Sequence, residues 1–267
     1  MDSSLAAVTV SNLTKRFGEL IAVNDISFNV PAGGIFAFLG PNGAGKSTTI
    51  KMLITLLSPT SGSMKVNGFD CRTQKDAVRK SLGIVFQDQS IDEELTAYEN
   101  MDFHGVIYGV SKEVRKTRIK SLLELVDLWD RRDEFVKNFS GGMKRRLEIA
   151  RGLVHHPKIL FLDEPTIGLD PQTRNNIWEH IKELNKKEGI TIFFTTHYIP
   201  EAESVADEVA IIDKGKIVAD GTVEDLRQQS GTDSLEKAFL SFTGRSIREE
   251  TGTTLDRMRR MRRVMRR

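Results

Sequence analysis

The densest chemistry in the chain lies between Gly40 and Thr48, in the run Gly40-Pro41-Asn42-Gly43-Ala44-Gly45-Lys46-Ser47-Thr48. It fits the pattern GxxxxGK[ST] of a phosphate-binding loop, between an apolar run that predicts a strand and a segment that predicts a helix. Glycines let the backbone bend until successive N–H groups converge on one phosphate cluster, and a helix N-terminus adds its positive dipole. Lys46 supplies a point charge for β- and γ-phosphates, and the Ser47 hydroxyl is a ligand for Mg²⁺. A second apolar run, Ile159-Leu160-Phe161-Leu162, ends in Asp163-Glu164-Pro165. A strand-end Asp beside such a loop holds the ion through its water shell. Glu164 then stands where a general base would take the proton of an attacking water.

Side chains so far apart in the chain meet only if strands carry them to one edge. Five short apolar runs, at 35–40, 82–86, 159–163, 191–196 and 208–213, lack the alternation of a half-exposed strand. They predict strands buried on both faces of a mostly parallel sheet, with helices between them. The first 30 residues mix β-branched and polar residues before Pro31 and Gly33-Gly34, which predicts an antiparallel flap. Between Asp88 and Arg151 the strand runs give way to helical patterns such as 119–129. The fold class expected is α/β: a P-loop NTPase core with a mostly parallel sheet, an antiparallel β flap and an inserted helical subdomain. The domain expected over 1–220 contains that subdomain at about 91–149, and 221–267 forms a short extension.

Further motifs narrow the reading. Asn138-Phe139-Ser140-Gly141-Gly142-Met143-Lys144-Arg145-Arg146 precedes the second carboxylate strand and resembles the signature sequence of ABC transporter ATPases. Gln87 resembles that family's Q-loop, Gly168-Leu169-Asp170-Pro171 its D-loop, and His197 its switch histidine. Phe17 matches the aromatic that stacks on adenine, although a phenylalanine here also suits packing under the flap. The elements keep the family's order over about residues 8–220. The resemblance implies an ATPase whose Ser140, Gly141, Gly142 and Met143 face the partner subunit's ATP, so that two copies pack head to tail, with Asp170 at their junction. It places His197 on the γ-phosphate and Gln87 with Ser47 and Asp163 near Mg²⁺. It also implies a separate membrane permease and a peripheral place on the cytoplasmic face of the membrane. One departure stands out: Met143 replaces the commonest glutamine, which removes a polar contact while sparing those of Ser140 and the backbone. The stretches 95–109, 195–222 and 234–250 resemble exporters of drugs, polysaccharides or lipids, the daunorubicin-resistance type among them. An importer's ATPase would share the same chemistry. A non-transport relative would carry tandem cassettes or a long coiled coil, and this sequence has one P-loop and no sustained heptads.

Composition sets the outer limits. With 39% hydrophobic and 28% charged residues the 267-residue chain builds a real core. It has no apolar run of the ~18 residues needed to span a bilayer. The acidic start MDSSLAAVTV does not predict a secretory signal, and the single Cys71 pairs with nothing. The net charge of +2 includes seven arginines between Arg257 and Arg267, which leaves −5 for residues 1–256. Basic residues confined to one end argue against a nucleic-acid-binding face. In a helix, Met258, Met261 and Met265 would share one face with arginines around them, a pattern that suits anionic lipid as well as a solvated end. Deleting 257–267 should leave ATP hydrolysis unchanged and weaken flotation with anionic liposomes, and high salt should mimic the deletion. Equal flotation of the two proteins at low salt removes the lipid contact.

Overall fold

Strands that are apolar on both faces need cover on both sides, and this chain provides it with helices on one face and a second sheet with two short helices on the other. The computed structural model describes residues 6–244. The arginine-rich end at 255–267 lies outside the described residues. Two long strands come first, β1 (Ala6–Phe17) and β2 (Leu20–Pro31), followed by β3 (Ile35–Leu39) and α1 (Lys46–Leu53). Next come β4 (Ser61–Val66), β5 (Phe69–Asp70), α2 (Lys75–Ser81) and β6 (Leu82–Val85). Three helices interrupt the strands: α3 (Ala97–Ile107), α4 (Lys112–Leu125) and α5 (Gly141–Arg151). The chain then alternates through β7 (Ile159–Asp163), α6 (Pro171–Glu188), β8 (Thr191–Thr196), α7 (Ile199–Val205) and β9 (Glu208–Asp213). The last described elements are β10 (Lys216–Gly221), α8 (Val223–Ser230) and α9 (Leu235–Thr243).

The main sheet has six strands in the order β10-β9-β3-β8-β7-β6. Its five apolar strands are parallel, and β10 is added antiparallel on β9. All five are the predicted runs. The flap is larger than the sequence suggests: β1 and β2 join β4 and β5 in a four-stranded antiparallel sheet. Ser61–Val66 escapes notice because it buries only Met64 and Val66, so it shows no apolar run. Strand β3 serves both layers through its period of two. Phe36 and Phe38 point into the flap side, and Ile35, Ala37 and Leu39 point into the helical side. Phe193 centres the flap-side core, with Phe161, Phe36, Phe38 and Phe28 rings at 5.2, 5.3, 5.8 and 6.2 Å.

On the other face, α3, α4 and α5 share one apolar cluster with β3, β6, β7, β8, α6 and α7. Leu226, Leu235 and Phe239 from α8 and α9 belong to it too. Helix α3 starts with a reciprocal capping box between Thr96 and Glu99. Arg118 of α4 ties that helix to its neighbours, pairing with Glu188 of α6 at 2.7 Å and donating to the Leu153 carbonyl just after α5. Among the described residues no helix is long and apolar enough to cross a membrane.

One part of this helical packing responds to pH. His155 stacks on Tyr108, the residue that caps the C-terminus of α3, with ring centroids 3.8 Å apart, and His104 lies 4.8 Å from Tyr108. Burial, then the Arg151 charge and His155, push the His104 pKa from 6.5 down to about 4. Burial also lowers His155, against the opposing pull of the Leu82 carbonyl. The unfolded chain therefore takes up protons below pH 6.5 that the folded chain refuses until about pH 4. Stability from this source is present above pH 6.5 and falls as the pH drops through that window. His104→Phe should flatten the decline of Tm between pH 6.5 and 4, and an unchanged slope would contradict this origin.

Candidate nucleotide site

The phosphate-binding loop joins β3 to α1, and its conformation demands glycine at defined points. Gly45 has φ 110°, and a Cβ there would lie 2.6 Å from the Ala22 carbonyl oxygen. A Cβ on Gly40 would meet the Ile212 carbonyl oxygen at 2.3 Å. Helix α1 begins at Lys46 with no side-chain cap, unlike α3, α5, α6, α8 and α9. Its first-turn N–H groups thus have no side-chain acceptor and are suited to an anion.

Strand β8 brings the carboxylates to this loop. It pairs Thr195 with Asp163 of β7 and Thr196 with Leu39 of β3. Gly40 N–H donates to the Thr196 carbonyl at 3.1 Å, which anchors the start of the loop. Ser47 Oγ donates to Asp163 Oδ1 at 3.1 Å, and Thr195 Oγ1 donates to the same oxygen at 2.6 Å. Glu164 N–H donates to Thr195 Oγ1 at 3.0 Å. Glu164 holds φ 48°, a left-handed conformation that costs a non-glycine residue energy and is concentrated at functional sites.

Three ionisable groups then converge. Lys46 Nζ, 4% exposed as a residue, lies 3.1 Å from Glu164 Oε1 and donates to the Gly40 and Pro41 carbonyls at 2.7 and 3.2 Å. His197 Nδ1–H donates to Glu164 Oε2 at 3.0 Å. Burial raises the Glu164 pKa, but the His197 hydrogen bond and the Lys46 charge outweigh it and hold the carboxyl below its ordinary value. Glu164 is therefore an ionised carboxylate with both oxygens engaged.

A cleft of about 520 Å³ opens over these groups, lined by Phe17, Asn42, Gly43, Gly45, Lys46, Ser47, Thr48, Gln87, Glu164 and Ile167, among others. Phe17 is 48% exposed, with Lys15 Nζ 5.0 Å from the ring centroid. The residue lines the cleft instead of packing beneath the flap. Gln87 is exposed at the cleft, and its backbone carbonyl accepts from Arg145 of α5 at 2.9 Å. Ser140, Gly142 and Met143 are elsewhere: they line a second cavity of about 330 Å³ between α5 and α6. Ser140 Oγ caps α5 by accepting from Met143 N–H at 3.3 Å, and Met143 Sδ accepts from Arg131 at 3.8 Å. Gly141 opens that helix. Asp170 caps α6, accepting from the Thr173 N–H at 3.0 Å and the Thr173 hydroxyl at 2.6 Å.

Sequence reasoning passed over Thr195, which links two site residues, Asp163 and Glu164; its one signal was a polar side chain at the end of an apolar strand. It also passed over Arg145 and Glu148, a buried pair at 2.9 Å. Arg145 donates to the Phe86 and Gln87 carbonyls and Glu148 accepts from Ser90 N–H, so α5 clamps the Gln87 segment. In the sequence both look like ordinary charges on a helix.

Comparison with known proteins agrees with this geometry. The ABC transporter family profile matches residues 23–167. A daunorubicin/doxorubicin resistance ATP-binding protein of Streptomyces peucetius is 41% identical over 256 residues, 94% of this chain and 77% of the relative. The solved ATP-binding subunit of an ABC transporter superposes with a TM-score of 0.80 at 31% identity, covering 88% of this chain and 99% of that one. A dimeric post-hydrolysis structure of the ATP-binding cassette MJ0796, bound to ADP and Pi, gives a TM-score of 0.71 at 28% identity over 80% of this chain and 98% of that one. Likeness of this extent, in sequence and in fold together, makes the chain a member of the ABC transporter family, an ATP-binding and ATP-hydrolysing subunit that works with a permease.

Proposed function

We propose that this subunit powers export through a separate membrane permease, with two copies closing head to tail around two ATP molecules at the cytoplasmic face. The observation that carries the reading is the convergence of Lys46, Glu164 and His197 on the edge of the phosphate-binding cleft. Export rather than import is supported by the similarity to a drug-resistance ATP-binding protein and by the exporter-like stretches of sequence. A dimeric relative holding the products ADP and Pi supports pairing. The separate cavity of Ser140, Gly142 and Met143 suits it too, since a phosphate-binding helix start remote from the chain's own P-loop needs a nucleotide from another subunit.

The steps follow from the contacts. The α1 N-terminus and the loop amides receive the β- and γ-phosphates, and Phe17 at the cleft edge stacks on adenine. The phosphate charge draws Lys46 away from Glu164, whose Oε1 then faces the attacking water. Glu164 takes the proton of that water as its oxygen attacks the γ-phosphorus in line and the bond to the ADP oxygen breaks. His197 orients Glu164 through the 3.0 Å hydrogen bond and lies beside the γ-phosphate. Ser140, Gly141 and Gly142 close on that phosphate from the partner, and Asp170 positions the connecting loop between the subunits. Among the described residues no three acidic, histidine or cysteine side chains gather into a metal cage. A hydroxyl and a carboxylate meeting at 3.1 Å, Ser47 and Asp163, nevertheless suit a hard cation completed by phosphate oxygens and water, with Gln87 beside them. Bound there, Mg²⁺ would neutralise charge developing on the β- and γ-oxygens. Clamped to α5, Gln87 would pass ligand-driven closure to the helices and the permease.

Glu164→Gln should keep Mg-ATP binding, lower turnover by ~10²–10⁴ and accumulate as a nucleotide-bound dimer in size-exclusion chromatography. Near-normal hydrolysis by that variant would remove Glu164 from the chemistry. Lys46→Ala should instead lose the thermal stabilisation that Mg-ATP confers. If Mg-ATP still raises its Tm as in the unmodified protein, Lys46 is not a phosphate ligand.

A further inference from the structure

Glu201 lies in the first turn of α7 and is 4% exposed, and a buried carboxylate destabilises a fold unless its oxygens find donors. Its donors come from the loop after β7 and from the last residue of β8. Oε1 accepts from the Thr166 hydroxyl, two residues beyond Glu164. Oε2 accepts at 2.7 Å from the Thr196 hydroxyl, immediately before His197. The Thr196 oxygen also accepts from the Tyr198 N–H at 2.9 Å, so it bridges the backbone on both sides of His197. Arg174 of α6 meets the charge, with Nε 3.4 Å from Glu201 Oε1. The same guanidinium covers the Tyr198 ring at 4.5 Å and donates to the Leu169 carbonyl at 3.3 Å.

The place of this network matters. The ladder between β7 and β8 ends at the pair Asp163 and Thr195. Glu164 and His197 lie just past that point, where no strand pairing holds one loop against the other. We propose that Glu201 is a positioning residue for ATP hydrolysis, cross-linking the Glu164 loop to the His197 loop beyond the end of the sheet. It fixes the 3.0 Å approach of His197 to Glu164 through Thr166 and Thr196. Through Arg174 and Leu169 it also holds the segment leading to Asp170, so a displacement of that segment reaches His197. The proposal rests on the roles given above to Glu164 and His197.

Steady-state and single-turnover hydrolysis by the full-length chain tests it, with Mg-ATP binding read separately as a shift in Tm. Glu201→Ala should lower kcat roughly 10- to 100-fold, because misplacing a catalytic pair by about 1 Å costs that much. KM and the Mg-ATP shift should stay within about twofold, since the phosphate cradle is untouched. Glu201→Gln, which still bridges both threonines, should restore most of kcat. Where the alanine variant does not fold, Thr166 substitutes as the test: Thr166→Val should lower kcat and Thr166→Ser should not. Wild-type kcat in Glu201→Ala or Thr166→Val overturns the proposal, as does a loss matched by an equal fall in the fraction of protein that binds Mg-ATP. Glu164→Gln runs alongside: if it is inactive while the Glu201 variants are normal, only the positioning role falls. If Glu164→Gln hydrolyses ATP normally, the reading of the site itself falls.

Discussion

The register of β8 between its two parallel neighbours governs the site. One side of the strand sets Thr196 against Leu39, and the other sets Thr195 against Asp163. Because side chains alternate with period two, a slip of one residue would send every side chain on the strand to the opposite face. The layers above and below prevent that slip. Phe193 and Phe194 occupy opposite cores, one among the flap-side phenylalanines and the other against Trp178 at 4.6 Å. Apolar burial, which is not directional, thus fixes a hydrogen-bond register, which is. The Ser47–Asp163–Thr195 contacts depend on it.

Once in register, the strand ends gather charge in a place that would not tolerate it singly. Lys46, Asp163 and Glu164 are all at most 8% exposed. Each is matched: Lys46 by Glu164 and two carbonyls, Asp163 by two hydroxyls, Glu164 by Lys46 and His197. Breaking one partner of a buried pair is costly, because it leaves the other charge uncompensated. The left-handed backbone of Glu164 adds strain at the same residue, held by the Thr195 hydroxyl on its N–H.

Two helix starts in one chain have been prepared differently. Helix α1 opens on glycine without a cap and faces the cleft, while α5 opens under the Ser140 hydroxyl and faces another cavity. Helix α5 nonetheless reaches back to the cleft, because Arg145 and Glu148 grip the backbone around Gln87. One helix therefore touches both the cleft over the phosphate-binding loop and the second cavity beside α6. Helix α7 plays a comparable part on the other side, through Glu201.

Much of this was legible in the residues alone. Five uninterrupted apolar runs declared a sheet buried on both faces, since only such strands have no polar side, and glycine spacing with lysine declared the phosphate loop because few other residues tolerate that backbone. The carboxylates Asp163 and Glu164 were recognisable by their place at a strand end. What sequence left open is what depends on partners distant in the chain. Ser61–Val66 shows no apolar run, so only its pairing with β1 reveals it as part of the flap. Thr195, Thr166 and Glu201 carry no motif of their own, and their importance arises because the β7–β8 register and the docking of α7 bring hydroxyls and a carboxylate within bonding distance. Phe17 suited either a core or a stacking surface, and the position of β1 at the cleft edge decided for the cleft. Local preference and periodicity are written residue by residue, whereas the satisfaction of a buried charge is a property of the assembled neighbourhood, and only the tertiary structure supplies it.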